Sequence, residues 1–149
     1  MLLNSSDVAY ARQSASPRRL VASTGDVAAP SVAQLGLRIR GGLPPRTLRR
    51  VREYIEAHLD ETISIRALAA IAGLSMYHFA RAFKQSAGMT PHDYLVRCRV
   101  RRVRDLLAAT DLPLSEIALV SGFADQSHCA RRFREHFGVT PGSYRWSMR

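Results

Sequence analysis

The chain has 149 residues, which suits one domain with an additional tail, and its formal net charge is +10. Of its 22 basic residues, 21 are arginine and only Lys84 is lysine. This excess favours nucleic acid first and an anionic membrane surface second as partner. The sequence has no apolar run near the ~18 residues of a spanning helix, no secretory signal, and only two cysteines, without metal-ligand or disulfide spacing.

Residues 1–43 differ in composition from the rest of the chain. They are rich in Ser, Ala, Gly and Val and show no sustained helical or strand period. Gly41-Gly42 and Pro44-Pro45 close the segment with residues typical of turns. We therefore predict a flexible, disordered arm over 1–43 and a folded domain over 44–149.

The folded part is predicted to be all-α. Val51, Tyr54, Ile55 and Leu59 form one apolar stripe of a first helix that begins near Pro45. Cap residues, prolines and glycines predict six more helices, with no alternating run long enough for a strand. These helices cover approximately residues 64–72, 75–86, 91–109, 115–121, 125–137 and 141–147.

An internal repeat divides this domain into two units. Residues 78–94 recur at 128–144 with eight identities in seventeen positions. Each copy is a short helix, a glycine turn and a second helix, which is the helix-turn-helix pattern of DNA-binding proteins. We place the first helix-turn-helix at about 64–86 and the second at about 115–137, joined by the helix at 91–109.

Part of the repeat serves as helix punctuation. The sequence Gly-x-Thr-Pro-x-x-Tyr begins at Gly88 and again at Gly138. Glycine ends one helix, threonine caps the next, and proline fits its first position. This part is predicted to have a structural role in both copies.

The second helix of each unit has one apolar side and one polar side. Phe79 and Phe83 share the apolar side of the first, as Cys129 and Phe133 do in the second. The opposite sides carry Tyr77, Ala80, Arg81 and Lys84 in the first unit, and Ser127, Ala130, Arg131 and Arg134 in the second. Small residues, hydroxyls and arginines on one side of a helix are suited to close approach to a base pair.

These side chains predict a division of roles. Arg81 and Arg131 suit guanine, and Gln126 suits adenine. Cations further along the helices suit phosphates, namely Lys84, Arg132 and Arg134. The helix N-termini at Ser75 and Asp125 offer free N–H groups and a positive dipole, which the Asp125 carboxylate partly offsets.

Several residues have a simpler structural interpretation. Cys98 and Cys129 are interpreted as small core residues, and His78 and His128 as packing or helix-start residues, because none has a partner at metal-ligand spacing. The arginines of the connecting helix form either a phosphate-binding stripe or its solvent side, with Arg99 as a candidate for a contact within the fold. This cluster comprises Arg97, Arg99, Arg101, Arg102 and Arg104.

Residues 45–147, about two-thirds of the chain, resemble the DNA-binding domain of the AraC/XylS family. The matching segments keep the family's order and spacing, including a longer second turn. They are Leu68-Ala69, Ala72-Gly73-Leu74-Ser75, His78 to Lys84, Gly88 to Pro91, Arg99-Val100 with Leu106-Leu107, Ile117-Ala118, Ser121 to His128, Arg131 to Phe133 and Phe137 to Pro141.

The resemblance implies two helix-turn-helix units held by a linker helix, with recognition helices in successive major grooves of double-stranded DNA. It implies a transcription regulator that activates by recruiting RNA polymerase. Our main hypothesis is a cytoplasmic bacterial protein that works as a monomer on an asymmetric site and needs no catalysis, metal or cofactor. Carried over by position, the base-facing set is Tyr77, Ala80, Arg81, Gln126, Ser127, His128 and Arg131. Residues 1–43 are too few for the ligand-binding domain that many members carry, so no small-molecule effector is assigned.

Three alternatives remain at this stage. The first is that the chain is the DNA-binding fragment of a longer ligand-responsive regulator. A DNA-repair module of similar helical sequence would carry a cysteine-rich zinc site in front, but residues 1–43 contain no cysteine. A basic adaptor protein would bind DNA without sequence preference.

Overall fold

The computed structural model describes residues 41–149, and within this range it contains seven α-helices and no strand. The all-α prediction is confirmed for this part of the chain, whereas the predicted arm lies almost wholly outside it. No helix among the described residues is both long enough and apolar enough to cross a membrane. The helices are α1 (Pro45–Ala57), α2 (Ile65–Ala72), α3 (Met76–Ala87), α4 (Pro91–Ala109), α5 (Leu114–Val120), α6 (Gln126–Phe137) and α7 (Pro141–Ser147).

Side-chain caps set most of the helix starts. Ser64 caps α2 by accepting a hydrogen bond from the Ala67 N–H at 3.1 Å, and Thr90 caps α4 by accepting one from the Asp93 N–H at 3.1 Å. Such caps satisfy N–H groups that the first helical turn leaves without an acceptor. Helices α4 and α7 have the predicted limits, and α5 begins one residue earlier than predicted, at Leu114.

The domain has two hydrophobic cores, and α4 contributes to both. Its first half places Leu95 and Cys98 in a core formed with α1, α2 and α3. Its second half places Val100, Val103 and Leu107 in a core formed with α5 and α6. At 100° per residue these two sets lie on nearly opposite sides of the helix. One continuous helix therefore carries both helix-turn-helix units.

The first core extends one residue beyond the predicted domain boundary. The sequence interpretation left Leu43 in the arm, yet its side chain is buried against α1 and α3 residues. The Leu43 N–H donates a hydrogen bond of 2.7 Å to Ser86 Oγ on α3. The chain is thus part of the domain from about Leu43, because this leucine has an apolar site to fill.

The two units also meet at a second place, away from the α4 axis. Arg99 of α4 donates one hydrogen bond from Nε to the Leu59 carbonyl, at 3.0 Å, and another from Nη2 to the Glu61 carbonyl, at 2.7 Å. Gly122, in the turn between α5 and α6, packs against Leu59 and Arg99. We call these four residues the junction. Arg99 therefore makes the internal contact considered for it, rather than belonging to a solvent stripe.

Candidate nucleic-acid interface

The buried faces of α3 and α6 decide which of their side chains face outward. Phe79 and Phe83 of α3, and Cys129 and Phe133 of α6, are fully buried. These pairs are spaced four residues apart, so each helix is fixed in rotation by one apolar stripe. Each of the two helices thus presents its opposite side to solvent.

The outward side of α3 carries the predicted first-unit residues. Tyr77 is 70% exposed, and Arg81 and Lys84 are also exposed. Ala80 is half-buried and lies between them. Positions 77, 81 and 84 follow the helical spacing of four and three residues, so their side chains form a single stripe.

The outward side of α6 repeats this arrangement fifty residues later. Ser127, Arg131 and Arg134 are exposed along one stripe, with Ala130 half-buried beside them. Gln126 is the exposed first residue of the helix. The structure thus places the polar stripe of each unit at equivalent positions.

Four cations of these stripes have no partner inside the domain. Within residues 41–149, the side chains of Arg81, Lys84, Arg131 and Arg134 make no hydrogen bond or ion pair. An arginine held by a neighbouring carboxylate must give up that contact before it can bind another anion. These four side chains need no such exchange and are ready to bind an external acceptor.

Arg132 and His128 have different surroundings from the stripe residues. Arg132 is half-buried and pairs through Nη1 with Glu135 Oε2 at 3.0 Å. Its Nε lies 3.5 Å from His128 Nε2. The half-buried His128 ring packs edge-on against Phe123, with the centroids 5.5 Å apart. These contacts link α6 to the preceding turn, and the DNA contacts predicted for Arg132 and His128 remain predictions.

The starts of α3 and α6 are capped by their own side chains. Ser75 Oγ accepts a hydrogen bond from the His78 N–H at 3.2 Å and lies 2.8 Å from His78 Nδ1. Asp125 Oδ1 accepts one from the His128 N–H at 2.7 Å. The Ser75 hydroxyl is therefore already engaged, and a phosphate at this end of α3 would be bound by first-turn backbone N–H groups.

The exposed residue at the start of α3 was given no role from the sequence. Met76 is the first residue of α3 and is 48% exposed. It occupies the position in α3 that Gln126 occupies in α6, at the repeat offset of fifty. The repeat offset was therefore the signal that could have placed Met76 among the candidate base contacts. An apolar side chain at this position can contact a thymine methyl group.

Neither cysteine is placed for metal binding or disulfide formation. Cys98 and Cys129 are buried free thiols, as the structural interpretation predicted. Burial and the nearby Asp125 carboxylate raise the pKa of Cys129 to about 11. Among the described residues, no group of three or more His, Cys, Asp or Glu side chains could hold a metal ion.

Comparison with known sequences agrees with this geometry. Residues 68–147 match the family model described as a helix-turn-helix domain. The transcriptional activator RhaS of Escherichia fergusonii is 37% identical over 98 residues, which cover 66% of this chain and 35% of that protein. The chain thus spans well under half the length of the curated relatives it matches.

Two solved structures of similar fold are described as containing or being DNA-binding domains. An AraC-type regulator from Chromobacterium violaceum matches with a TM-score of 0.65 and 31% identity, over 69% of this chain and 92% of that one. The DNA-binding domain of AdpA, in complex with a target DNA, matches with a TM-score of 0.65 and 31% identity, over 68% of this chain and 91% of that one. In both cases the match covers nearly the whole solved domain.

Proposed function

This chain belongs to the AraC/XylS family of helix-turn-helix DNA-binding proteins, and on that premise we propose that α3 and α6 read successive major grooves on one face of a DNA site. The observation that carries the proposal is the pair Arg81 and Arg131. Both are exposed at equivalent positions of the two units, and neither has a partner within residues 41–149. A helix placed in a major groove presents such a side chain to the base edges.

Each reading helix has its own base contacts in this proposal. Arg81 and Arg131 each donate two hydrogen bonds to O6 and N7 of a guanine. Gln126 contacts an adenine, since its amide matches the N6 and N7 edge. The residues that complete the two reading surfaces are Tyr77 and Ala80 on α3, and Ser127 and His128 on α6.

Phosphate contacts position these helices and carry no sequence information of their own. Lys84 and Arg134 supply them from the end of each exposed stripe. Arg132 contributes only after exchanging its Glu135 partner for a phosphate, and Ser75 contributes through the helix start that it caps. Because Arg132 must first leave Glu135, it should contribute less to the salt dependence of DNA binding than Lys84 or Arg134 does.

The regulatory outcome is activation of transcription. RhaS carries the name of a transcriptional activator, and the family resemblance implies recruitment of RNA polymerase to the bound site. On this proposal the protein acts on the bacterial chromosome, in the cytoplasm, without catalysis and without an assigned small-molecule effector. Tyr77 and Ser127 make the two reading surfaces different, so the site that one chain reads is asymmetric. On this proposal the protein binds such a site as a monomer.

Selection of bound sites from random DNA tests the proposal, with the mass of the complex measured alongside. We expect an asymmetric site with two boxes about one helical turn apart and a complex of one chain per site. A palindrome of doubled length would contradict the monomer. Binding without any sequence preference would favour the basic adaptor protein instead.

Two arginine variants identify the reading residues. Arg81→Ala and Arg131→Ala should each weaken specific binding by about 1–3 kcal/mol and relax base choice at one position. Arg46→Ala is the matched control, because it removes the same charge from an exposed position of α1, outside both helix-turn-helix units. If both test variants select the same site as the parent, the base assignments are wrong.

A further inference from the structure

Arg99 lies at the point of α4 where the helix passes from one core to the other. The residue before it, Cys98, belongs to the first core, and the residue after it, Val100, belongs to the second. Its side chain leaves the helix and binds the Leu59 and Glu61 carbonyls, which belong to the turn and loop that follow α1. Arg99 thereby ties the linker helix to the first unit with two hydrogen bonds.

The second unit reaches the same place through Gly122. A Cβ atom at this position would lie 1.8 Å from the Leu59 carbonyl oxygen and 2.6 Å from Arg99 Nε. The turn that precedes the reading helix α6 therefore rests on the same carbonyl that Arg99 holds. Segments of both units and the linker helix meet here within contact distance.

This arrangement changes how firmly the two units are held. If α4 were the only connection, bending of the helix would change the angle between the units, since long helices bend gently. The junction adds a second connection beside the helix axis. The helix and the junction together oppose a rotation of one unit relative to the other that the helix alone would allow.

We propose that Arg99 is a positioning residue that sets the base-pair spacing allowed between the two DNA boxes. The proposal rests on the function proposed above, in which α3 and α6 read separate boxes. Adding one base pair between the boxes moves one of them by about 3.4 Å and turns it by roughly 35° around the DNA axis. A rigid pair of reading helices cannot follow that movement, whereas a loosened pair can.

The experiment measures affinity on three duplexes: the selected site, and versions with one base pair inserted or deleted between the boxes. For the parent protein, each change of spacing should lower affinity by about tenfold or more, comparable with a mismatched base pair. For Arg99→Ala, affinity for the selected site should stay within about tenfold of the parent. Its penalty for altered spacing should shrink to less than about threefold.

Arg97→Ala is the matched control. It removes the same charge from an exposed position on the same helix, two residues away and outside the junction. It should keep the full spacing penalty even if it weakens binding to all three duplexes. Arg99→Lys is the second test variant, because it keeps the charge but lacks the planar fork that reaches two carbonyls, and it should also relax the spacing.

The outcomes separate this inference from the proposed function. Failure of the parent protein to select a two-box site would contradict the proposed function itself. If the parent shows the penalty and both folded Arg99 variants retain it in full, Arg99 does not set the spacing. Loss of helical structure in both variants, measured by circular dichroism, would assign Arg99 to folding alone and overturn the inference.

Discussion

Gly122 packs directly on the main-chain carbonyl of Leu59, and this contact joins the second helix-turn-helix unit to the segment that follows α1 and belongs to the first core. The equivalent residue of the first unit is Gly73, for which a Cβ atom would meet nothing within 4 Å. Both glycines have positive φ, +85° and +66°. The two turns are therefore alike in backbone conformation and differ in what lies against them.

That difference predicts unequal costs for the same substitution. Gly73→Ala should lower the free energy of unfolding by about 1–2 kcal/mol, because the alanine is strained only by the left-handed backbone conformation. Gly122→Ala should cost about 3 kcal/mol or more, since the loop bearing Leu59 must also move. Urea denaturation of both variants measures this difference. Equal losses would show that the junction yields easily, and would weaken the case for a rigid spacing.

Local sequence was sufficient to predict the helices because their ends depend on near neighbours. Ser64, Thr90 and Asp125 cap helices through N–H groups three residues away. The junction could not be predicted in the same way. The sequence made Arg99 a candidate for an internal contact, but its partners lie 40 and 38 residues earlier in the chain, and nothing in its own helix identifies them.

The repeat identified equivalent positions in the two units, but it did not predict the surroundings of the side chains at those positions. His78 and His128 are identical residues at equivalent positions, yet His78 is exposed and His128 is half-buried. The cause lies in two replacements around the second ring. Phe123 stands where the first unit has Leu74, and Arg132 stands where it has Ala82. Equivalence by offset alone therefore cannot decide whether His128 reaches a base.

The second turn also contains a hydroxyl group without a partner. Ser121 is fully buried, and its Oγ makes no hydrogen bond among residues 41–149. The equivalent residue of the first unit is Ala72. An unpaired buried hydroxyl group is unfavourable, so Ser121→Ala should raise the free energy of unfolding by about 1 kcal/mol.

Ser64→Ala is the comparison variant for this measurement, because the Ser64 hydroxyl caps α2. It should lower the free energy of unfolding by about 1 kcal/mol. The two serine-to-alanine changes are thus expected to have opposite signs in the same denaturation experiment. A large loss of stability for Ser121→Ala would reveal a partner for its hydroxyl.

The salt dependence of DNA binding should distinguish Lys84 and Arg134, which have no partner within residues 41–149, from Arg132, which is paired with Glu135. Each phosphate contact contributes a slope of about −0.9 to the plot of log affinity against log salt. Lys84→Ala and Arg134→Ala should each make the slope shallower by about one. Arg132→Ala should change it less, because Arg132 is paired with Glu135.

Fluorescence anisotropy titrations at several salt concentrations measure these slopes. The two Ala variants of the free cations should weaken binding by similar factors on all sequences, since phosphates are the same everywhere. A slope change for Arg132→Ala as large as that for Arg134→Ala would show that the Glu135 pair opens readily on DNA. Unchanged slopes for Lys84→Ala and Arg134→Ala would remove both from the set of phosphate contacts.

The buried thiol of Cys129 predicts a loss of stability in alkaline solution. Its pKa is raised to about 11 in the folded chain, whereas an unfolded cysteine titrates near 8.5. Above about pH 8.5 the unfolded chain releases this proton and the folded chain retains it. The unfolded state is therefore favoured increasingly as pH rises from about 8.5 towards 11, and stability should fall by roughly 1.4 kcal/mol for each pH unit in this interval.

Denaturation curves between about pH 7.5 and 9 test this effect. That range ends about one pH unit below the ordinary pKa of tyrosine, which matters because burial also raises the pKa of Tyr94. Cys129→Ala and Cys129→Ser carry no thiol at this position, so the free energy of unfolding of both variants should fall less steeply with pH. Their absolute stabilities will differ from that of the parent. If the parent and both variants fall equally with pH, Cys129 does not titrate as its burial predicts, and the second core admits water.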